Sequence, residues 1–233
     1  MTGTLHGVGL GPGDPELITL KSWRIISLAP VIAWPEGESG QARARAIAEP
    51  FIPEDVVELP LFIPFGARAE EVEQAYRAAA EAIAEHLRQG RDVAYLCLGD
   101  PLLYGTFGRL AGYLAEEFQV RAVPGVSAPQ AAAARLVRRL AQGSEPFKML
   151  PATMDDDALL AECLNRRAML TILKAGHHLL RVLDILSRAG RADQAIVAQE
   201  LGSGQERILP LRQAVAEGDA GYFSLVLVWP KED

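Results

Sequence analysis

Apolar positions along the chain fall into two alternating kinds of run. Short apolar and β-branched stretches at 4–8, 31–33, 56–59, 92–98 and 120–123 read as strands, as do 147–150, 169–173, 195–199, 207–209 and 222–228. Between them lie stretches with helical spacing at 15–28, 42–48, 67–89, 106–117, 128–140, 156–165, 179–189 and 211–217. The clearest is 67–89: Val72, Tyr76, Ala79, Ile83 and Leu87 recur every three or four residues, and Gly90 ends the run. Trp34-Pro35 reads as the stop of the second strand. This alternation predicts an α/β protein with mainly parallel or mixed sheets. A Pro-Gly step at 124–125, after the fifth strand, predicts an N-terminal α/β domain over 1–122 and a C-terminal α/β domain over 123–233. No repeat of solenoid period and no low-complexity linker interrupts the pattern.

Composition narrows the function classes. With 233 residues, 49% hydrophobic and 23% charged, the chain has the make-up of a globular protein rather than a disordered one. No apolar run reaches ~18 residues, so no membrane partner is expected. The first residues lack a basic stretch followed by an apolar one, which predicts a cytoplasmic protein. A net charge of −7 argues against nucleic acid as a partner. Cys97 and Cys163 lie in apolar segments without metal-ligand spacing, so buried reduced thiols and no metal site are expected.

Three loops carry the candidate chemistry. Gly9-Leu10-Gly11-Pro12-Gly13-Asp14-Pro15 follows the first strand. A dinucleotide fold needs Gly-x-Gly-x-x-Gly, and this spacing is one residue short. Pro12 and Pro15 also remove two backbone donors, and no acidic residue stands beside Ala33-Trp34 to hold a ribose. No Gly-Lys-Ser/Thr step offers a P-loop. The plain alternative is a turn before a helix capped by Asp14. Leu98-Gly99-Asp100-Pro101-Leu102-Leu103-Tyr104-Gly105-Thr106 follows the fourth strand, and ligands of open α/β sheets sit beyond such strand ends. Asp100 either caps the turn or accepts from a ligand hydroxyl or ammonium. Pro124-Gly125-Val126-Ser127-Ala128 lacks the second glycine of a hydrolase elbow. His6, His86, His177 and His178 offer no triad, and Asp155-Asp156-Asp157 reads as a helix cap. No catalytic residue is named.

Taken together, in this order and at these distances, the three loops resemble the signatures of the tetrapyrrole (corrin and porphyrin) methyltransferases that use S-adenosylmethionine. The first signature runs from Val8-Gly9-Leu10-Gly11-Pro12-Gly13 to Lys21, the second is Gly99-Asp100-Pro101 with Tyr104-Gly105, and the third is Pro124-Gly125-Val126-Ser127. Further segments resemble one branch, the precorrin-2 C-20 methyltransferases: Val31-Ile32-Ala33-Trp34-Pro35, Leu59-Pro60-Leu61, Leu150-Pro151-Ala152-Thr153, Leu173-Lys174 and Tyr222-Phe223-Ser224-Leu225. Ala128-Pro129 and Leu201-Gly202-Ser203-Gly204 depart from the family pattern and bear on the shape of the pocket.

The resemblance implies two α/β domains with the cofactor in the cleft between them, and a homodimer. It implies S-adenosyl-L-methionine as methyl donor, released as S-adenosyl-L-homocysteine, and a small-molecule tetrapyrrole as substrate. Carried over position by position, the cofactor contacts are Pro12, Leu98, Gly99, Asp100, Leu103, Thr106, Ser127, Ala128, Leu173, Leu201, Ser224 and Leu225. The reaction implied is methyl transfer to C-20 of precorrin-2, giving precorrin-3A in cobalamin biosynthesis. The competing readings are the cobalt-containing ring or another ring position, methylation of ribosomal RNA, a binding module of the same fold, and a nucleotide-dependent oxidoreductase. Arg43, Arg45, Arg135, Arg138 and Arg139 are candidate anchors for substrate carboxylates, or solvated side chains.

Overall fold

The computed structural model describes residues 1–37, 42–64, 67–218 and 221–230. The chain divides into two compact units, Met1–Ser127 and Ala128–Asp233. The division falls a few residues after 122, because β5 (Gln119–Val123) belongs wholly to the first sheet, with Val123 beside Val8.

In the first unit β1 (Thr4–Gly9), β2 (Val31–Glu36), β3 (Val57–Phe62) and β4 (Val93–Cys97) join β5 in a sheet of order β3-β2-β4-β1-β5. Every pairing in it is parallel. Side chains alternate across it by strand periodicity. Val8, Ile32, Trp34 and Leu96 meet α1 (Leu20–Leu28) and α2 (Arg43–Ala48) on one face. Leu5, Ala33, Val93 and Tyr95 meet α3 (Ala69–Arg88) and α4 (Phe107–Leu114) on the other. Burial on both faces explains why the inner strands β2 and β4 are largely apolar rather than alternating, while the edge strands β3 and β5 keep exposed polar residues.

Two local expectations need correction. The helix expected over 15–28 is interrupted. Asp14 caps a single 3-10 turn at Pro15–Leu17, and Thr19 then caps α1 by accepting the Ser22 N–H at 3.1 Å. The Ser22 hydroxyl in turn donates to the Gly9 carbonyl at 2.9 Å, tying the helix start to the end of β1. The second strand does not stop at Trp34-Pro35. Past Ala33 it has lost its β4 neighbour, so Pro35 sits where one side of the strand needs no donor, and β2 runs on to Glu36. An acidic residue therefore does close the second strand, and the case against a dinucleotide rests on the first loop alone.

The second unit holds α5 (Ala128–Leu136), β6 (Phe147–Pro151), α6 (Asp156–Leu164), β7 (Met169–Leu173), α7 (Leu179–Arg188), β8 (Ala195–Gln199), β9 (Arg207–Pro210), α8 (Leu211–Glu217) and β10 (Ser224–Val228). Its sheet order is β6-β7-β10-β8-β9. Only β6 and β7 pair in parallel, and the other three pairings are antiparallel. This sheet is therefore mixed, where the first is parallel. Leu170, Ile172, Val197, Val226 and Val228 meet α6, α7 and α8 on one face, and α5 lies against β10. The Arg191 side chain is buried and donates to the carbonyls of Asn165, Ala168, Val228 and Trp229 at 2.7–3.2 Å.

Candidate functional site

The first unit has a topological switch point. β1 and β4 are neighbours, yet the chain leaves β1 towards α1 on one face and leaves β4 towards α4 on the other. Their loops therefore diverge and leave a crevice beyond the carboxyl ends of the strands, where ligands of open parallel sheets bind.

Three loops meet at this end, and glycines allow it. Gly11 and Gly99 form an isolated antiparallel bridge, with the Gly99 amide 2.8 Å from the Gly11 carbonyl. A Cβ on Gly9 would stand 2.5 Å from the Gly125 nitrogen, and one on Gly125 would collide with the Gly99 carbonyl. Gly99 has φ +69°, and a Cβ there would meet nothing within 4 Å. Its backbone thus presents an open face at the centre of the crevice. Asp100 does cap the turn, accepting the Leu102 N–H at 2.9 Å and the Gly125 N–H at 3.1 Å through separate oxygens. A carboxylate has about four lone-pair sites, so capacity for a ligand donor remains.

The other sequence candidates of this unit line the same loops. Pro12 is buried, Leu98 is half-buried, and Leu102, Leu103 and Tyr104 form an exposed apolar rim. Ser127 is buried on the loop after β5. Thr106 stands at the N-cap position of α4 but makes no cap bond. Its hydroxyl lies 2.7 Å from the hydroxyl of Tyr95, a fully buried residue of β4. Sequence reasoning missed Tyr95. A tyrosine in a buried strand needs a partner for its hydroxyl, and that need was the available signal.

In the second unit the antiparallel pairing brings together ends that are distant in sequence. The carboxyl ends of β7 and β8 and the amino end of β10 share one edge, with Ser224 opposite Gln199 and the Ala175 amide 3.1 Å from the Ser224 carbonyl. Leu173, Leu201, Ser224 and Leu225 all sit there, and Ala128 opens α5. The turn after β8 is held by Glu206, which accepts the Gly202 N–H at 2.7 Å and pairs with Arg135 at 3.1 Å.

Titratable groups offer no reactive centre. Burial pushes the Cys97 thiol above its usual range and the Cys163 thiol up to about 11, leaving both protonated and weakly nucleophilic at neutral pH. Burial also lowers the His6 and His86 pKa values. Among the described residues no group of His, Cys, Asp or Glu could hold a metal ion. Most of the candidate anchor arginines are already engaged. Arg45 forks onto Glu58 at 2.7 and 2.8 Å, Arg139 pairs with Glu145 at 3.3 Å, and Arg138 stacks on Trp229 at 4.2 Å.

A parallel sheet with a glycine-built crevice at its switch point, followed by a mixed sheet, defines an α/β protein with bare backbone open beyond its first sheet. The profile of the Tetrapyrrole (Corrin/Porphyrin) Methylases matches residues 4–215, and the chain belongs to that family. It is 37% identical to a precorrin-2 C(20)-methyltransferase of Sinorhizobium sp, over 97% of this chain and 95% of that one. It is 26% identical to a cobalt-precorrin-2 C(20)-methyltransferase of Salmonella typhimurium, over 98% and 97%. Among solved structures it resembles a uroporphyrin-III C-methyl transferase of Thermus thermophilus complexed with S-adenyl homocysteine, with a TM-score of 0.69 and 20% identity over 97% of each chain.

Proposed function

We propose that this chain transfers a methyl group from S-adenosyl-L-methionine to C-20 of precorrin-2, giving precorrin-3A in cobalamin biosynthesis. The observation that carries the reading is the 37% identity to the Sinorhizobium enzyme over nearly the whole of both chains. The open backbone at Gly99 is the feature of the chain that fits the cofactor, because a bulky group can approach it without meeting a side chain. S-adenosyl-L-methionine supplies an electrophilic methyl group, and an electron-rich macrocycle supplies the carbon nucleophile. No side-chain nucleophile is demanded, which agrees with the protonated thiols.

The protein's part is then alignment. Gly99 and Pro12 would face the cofactor with backbone and ring, Asp100 would accept from its hydroxyl or ammonium groups, and Leu98, Leu103, Thr106 and Ser127 would bound it. From the second unit, Ala128, Leu173, Leu201, Ser224 and Leu225 join this assignment by their match to the family pattern. Fixing carbon, methyl and sulfur in line supplies on the order of 7–11 kcal/mol of barrier reduction. The active form is a cytoplasmic homodimer in this reading. The higher identity to the precorrin-2 enzyme than to the cobalt-precorrin-2 enzyme favours the metal-free ring.

The test is mass spectrometry of purified protein incubated with S-adenosyl-L-methionine and either precorrin-2 or cobalt-precorrin-2. Gain of one methyl group on the metal-free ring supports the reading, and gain on the cobalt ring alone corrects the substrate. Calorimetric binding of NAD without S-adenosyl-L-homocysteine binding would sink the reading.

A further inference from the structure

Four non-glycine residues among those described have positive φ: Tyr104, Val137, Lys174 and Glu200. L-residues adopt this conformation at a cost that glycine avoids. At Val137 the reason is local. It follows the last turn of α5, and the Arg138 amide reaches back to the Ala133 carbonyl at 3.0 Å in a common helix ending. No helix ends at Lys174 or Glu200. They come directly after β7 and β8 and stand at one edge of the second sheet, flanking the start of β10. Strained positions of this kind collect where a side chain is needed in a place that relaxed backbone would not give it.

Lys174 has φ +58° and is exposed. Its ammonium has no hydrogen bond or ion pair among the described residues. Elsewhere in the second unit Lys148 pairs with Glu162, Arg139 with Glu145, Arg181 with Asp156 and Arg212 with Asp193, and the guanidinium groups of Arg166 and Arg167, also without such a partner among the described residues, precede β7 at its amino end rather than follow its carboxyl end. Flat rings stand at the same edge. Tyr222 is 48% exposed, meets Phe223 edge-on with centroids 5.1 Å apart, and has His177 at 6.5 Å. An unpaired cation beside exposed aromatic faces suits a flat, largely apolar ring system rimmed by carboxylates.

We propose that Lys174 is a specificity-determining residue that receives a peripheral carboxylate of the tetrapyrrole, held at the edge of the second sheet by its left-handed backbone. This rests on the functional reading above. The cation serves as a point charge there, because the engaged arginines have already spent their forks on internal carboxylates.

The experiment uses the full chain and four variants: Lys174→Met, Lys174→Arg, Lys174→Gly and the control Val137→Gly. Melting temperature, calorimetric affinity for S-adenosyl-L-homocysteine, and KM and kcat for precorrin-2 are read for each. Lys174→Met should raise KM by about tenfold or more, as loss of a hydrogen bond to a charged group does, with kcat and affinity for S-adenosyl-L-homocysteine unchanged. Its KM should also respond less steeply to salt than that of the parent. Lys174→Arg should keep KM within about threefold. Lys174→Gly should raise KM as Lys174→Met does while raising the melting temperature by about 2–4 °C. Val137→Gly should leave KM unchanged. If KM is unchanged in Lys174→Met and Lys174→Gly while the parent methylates precorrin-2, the inference falls and the functional reading stands. A rise in KM together with a loss of S-adenosyl-L-homocysteine affinity would also overturn it, because that is the mark of a distorted turn. A parent that leaves precorrin-2 unmethylated overturns the functional reading itself.

Discussion

The ligand end of the first sheet and the corresponding edge of the second are built by opposite means. In the first, three loops touch through bare backbone at Gly9, Gly99 and Gly125, and side chains mostly brace from behind. In the second, the turns after β7 and β8 carry charged L-residues, Lys174 and Glu200, in a conformation glycine would take more easily. Glycine there would relax the chain, whereas a side chain at Gly9 or Gly125 would force the first surface apart. A surface that must admit a ligand to the backbone has to give up its own side chains. If Lys174 receives a carboxylate as proposed, the second surface keeps its charged side chain even under strain.

The largest effect that sharpens this contrast is expected at Gly125. A methyl group there has nowhere to go, since it meets the Gly99 carbonyl, which is itself held in the bridge to Gly11. Gly125→Ala should cost about 3 kcal/mol or more, seen as a fall of about 6–12 °C in melting temperature. It should also abolish binding of S-adenosyl-L-homocysteine. A variant that melts like the parent would show that the three loops are not fixed by this contact.

Gly99→Ala separates space for a ligand from space for the fold. Nothing in the protein opposes the new methyl group, so the penalty is the left-handed φ alone, about 1–2 kcal/mol. The protein should remain folded, yet its calorimetric affinity for S-adenosyl-L-homocysteine should fall at least about tenfold. If affinity and stability fall only in proportion, as an ordinary turn glycine dictates, the open face at Gly99 has no role in binding.

The two surfaces also differ in how far they could be read from sequence. The first was legible because glycine and proline mark sharp backbone requirements by identity, and its inner strands β2 and β4 are buried on both faces, so they read as apolar runs. The element limits mostly fell within a few residues. The break at Ile18 was hidden, because Leu17 and Leu20, three residues apart, fit a helical spacing and only the Thr19 cap betrays the interruption. The passage of β2 through Pro35 depends on where β4 stops pairing, which is a tertiary fact. In the second unit, strand–helix order cannot tell a parallel neighbour from an antiparallel one, so the expectation of parallel or mixed sheets could not say which three pairings are antiparallel. In the sequence Lys174 stands out only as part of the short Leu173-Lys174 match, because a left-handed lysine looks like any other lysine until its φ is known.

A smaller effect is expected behind the first surface, at Tyr95. Without its hydroxyl, that of Thr106 is free to turn and cap α4, the usual use of a threonine at that position. The lost hydrogen bond, about 0.5–1.5 kcal/mol, is then largely offset by the gained cap. Tyr95→Phe should melt within about 2 °C of the parent while its affinity for S-adenosyl-L-homocysteine drops about three- to tenfold, because the loop that contains Gly99 ends at Thr106. Thr106→Val should lower the affinity likewise but also destabilise the fold by about 1–3 kcal/mol, because it leaves the buried Tyr95 hydroxyl without its partner and has no hydroxyl to cap α4, whereas Thr106→Ser should do neither. Unchanged affinity in Tyr95→Phe would mean that the loop is set by its glycines alone.

The smallest effect should come from the far side of the same unit, where α3 meets α4. Glu73 accepts from Tyr113 at 2.7 Å, from Arg109 at 2.5 Å and from Arg77 at 2.8 Å. The Tyr113 hydroxyl, and then the Arg109 guanidinium, hold its carboxyl down at about 2, against an ordinary 4.5. A carboxyl depressed in the folded state adds stability that is fully present above the unfolded value and is lost as pH falls through the folded one. The parent should therefore lose stability between about pH 4.5 and 2 partly through this residue. Glu73→Gln should flatten that part of the curve of melting temperature against pH and leave affinity for S-adenosyl-L-homocysteine at neutral pH unchanged. Glu73 lies on helices that cover the sheet rather than on loops beyond it, so charge removed there reaches the fold and not the crevice. A change in affinity at neutral pH would show that α4 transmits its position to Thr106 and the loop before it, and would move the boundary of the binding surface outward from the glycines to the helix they precede.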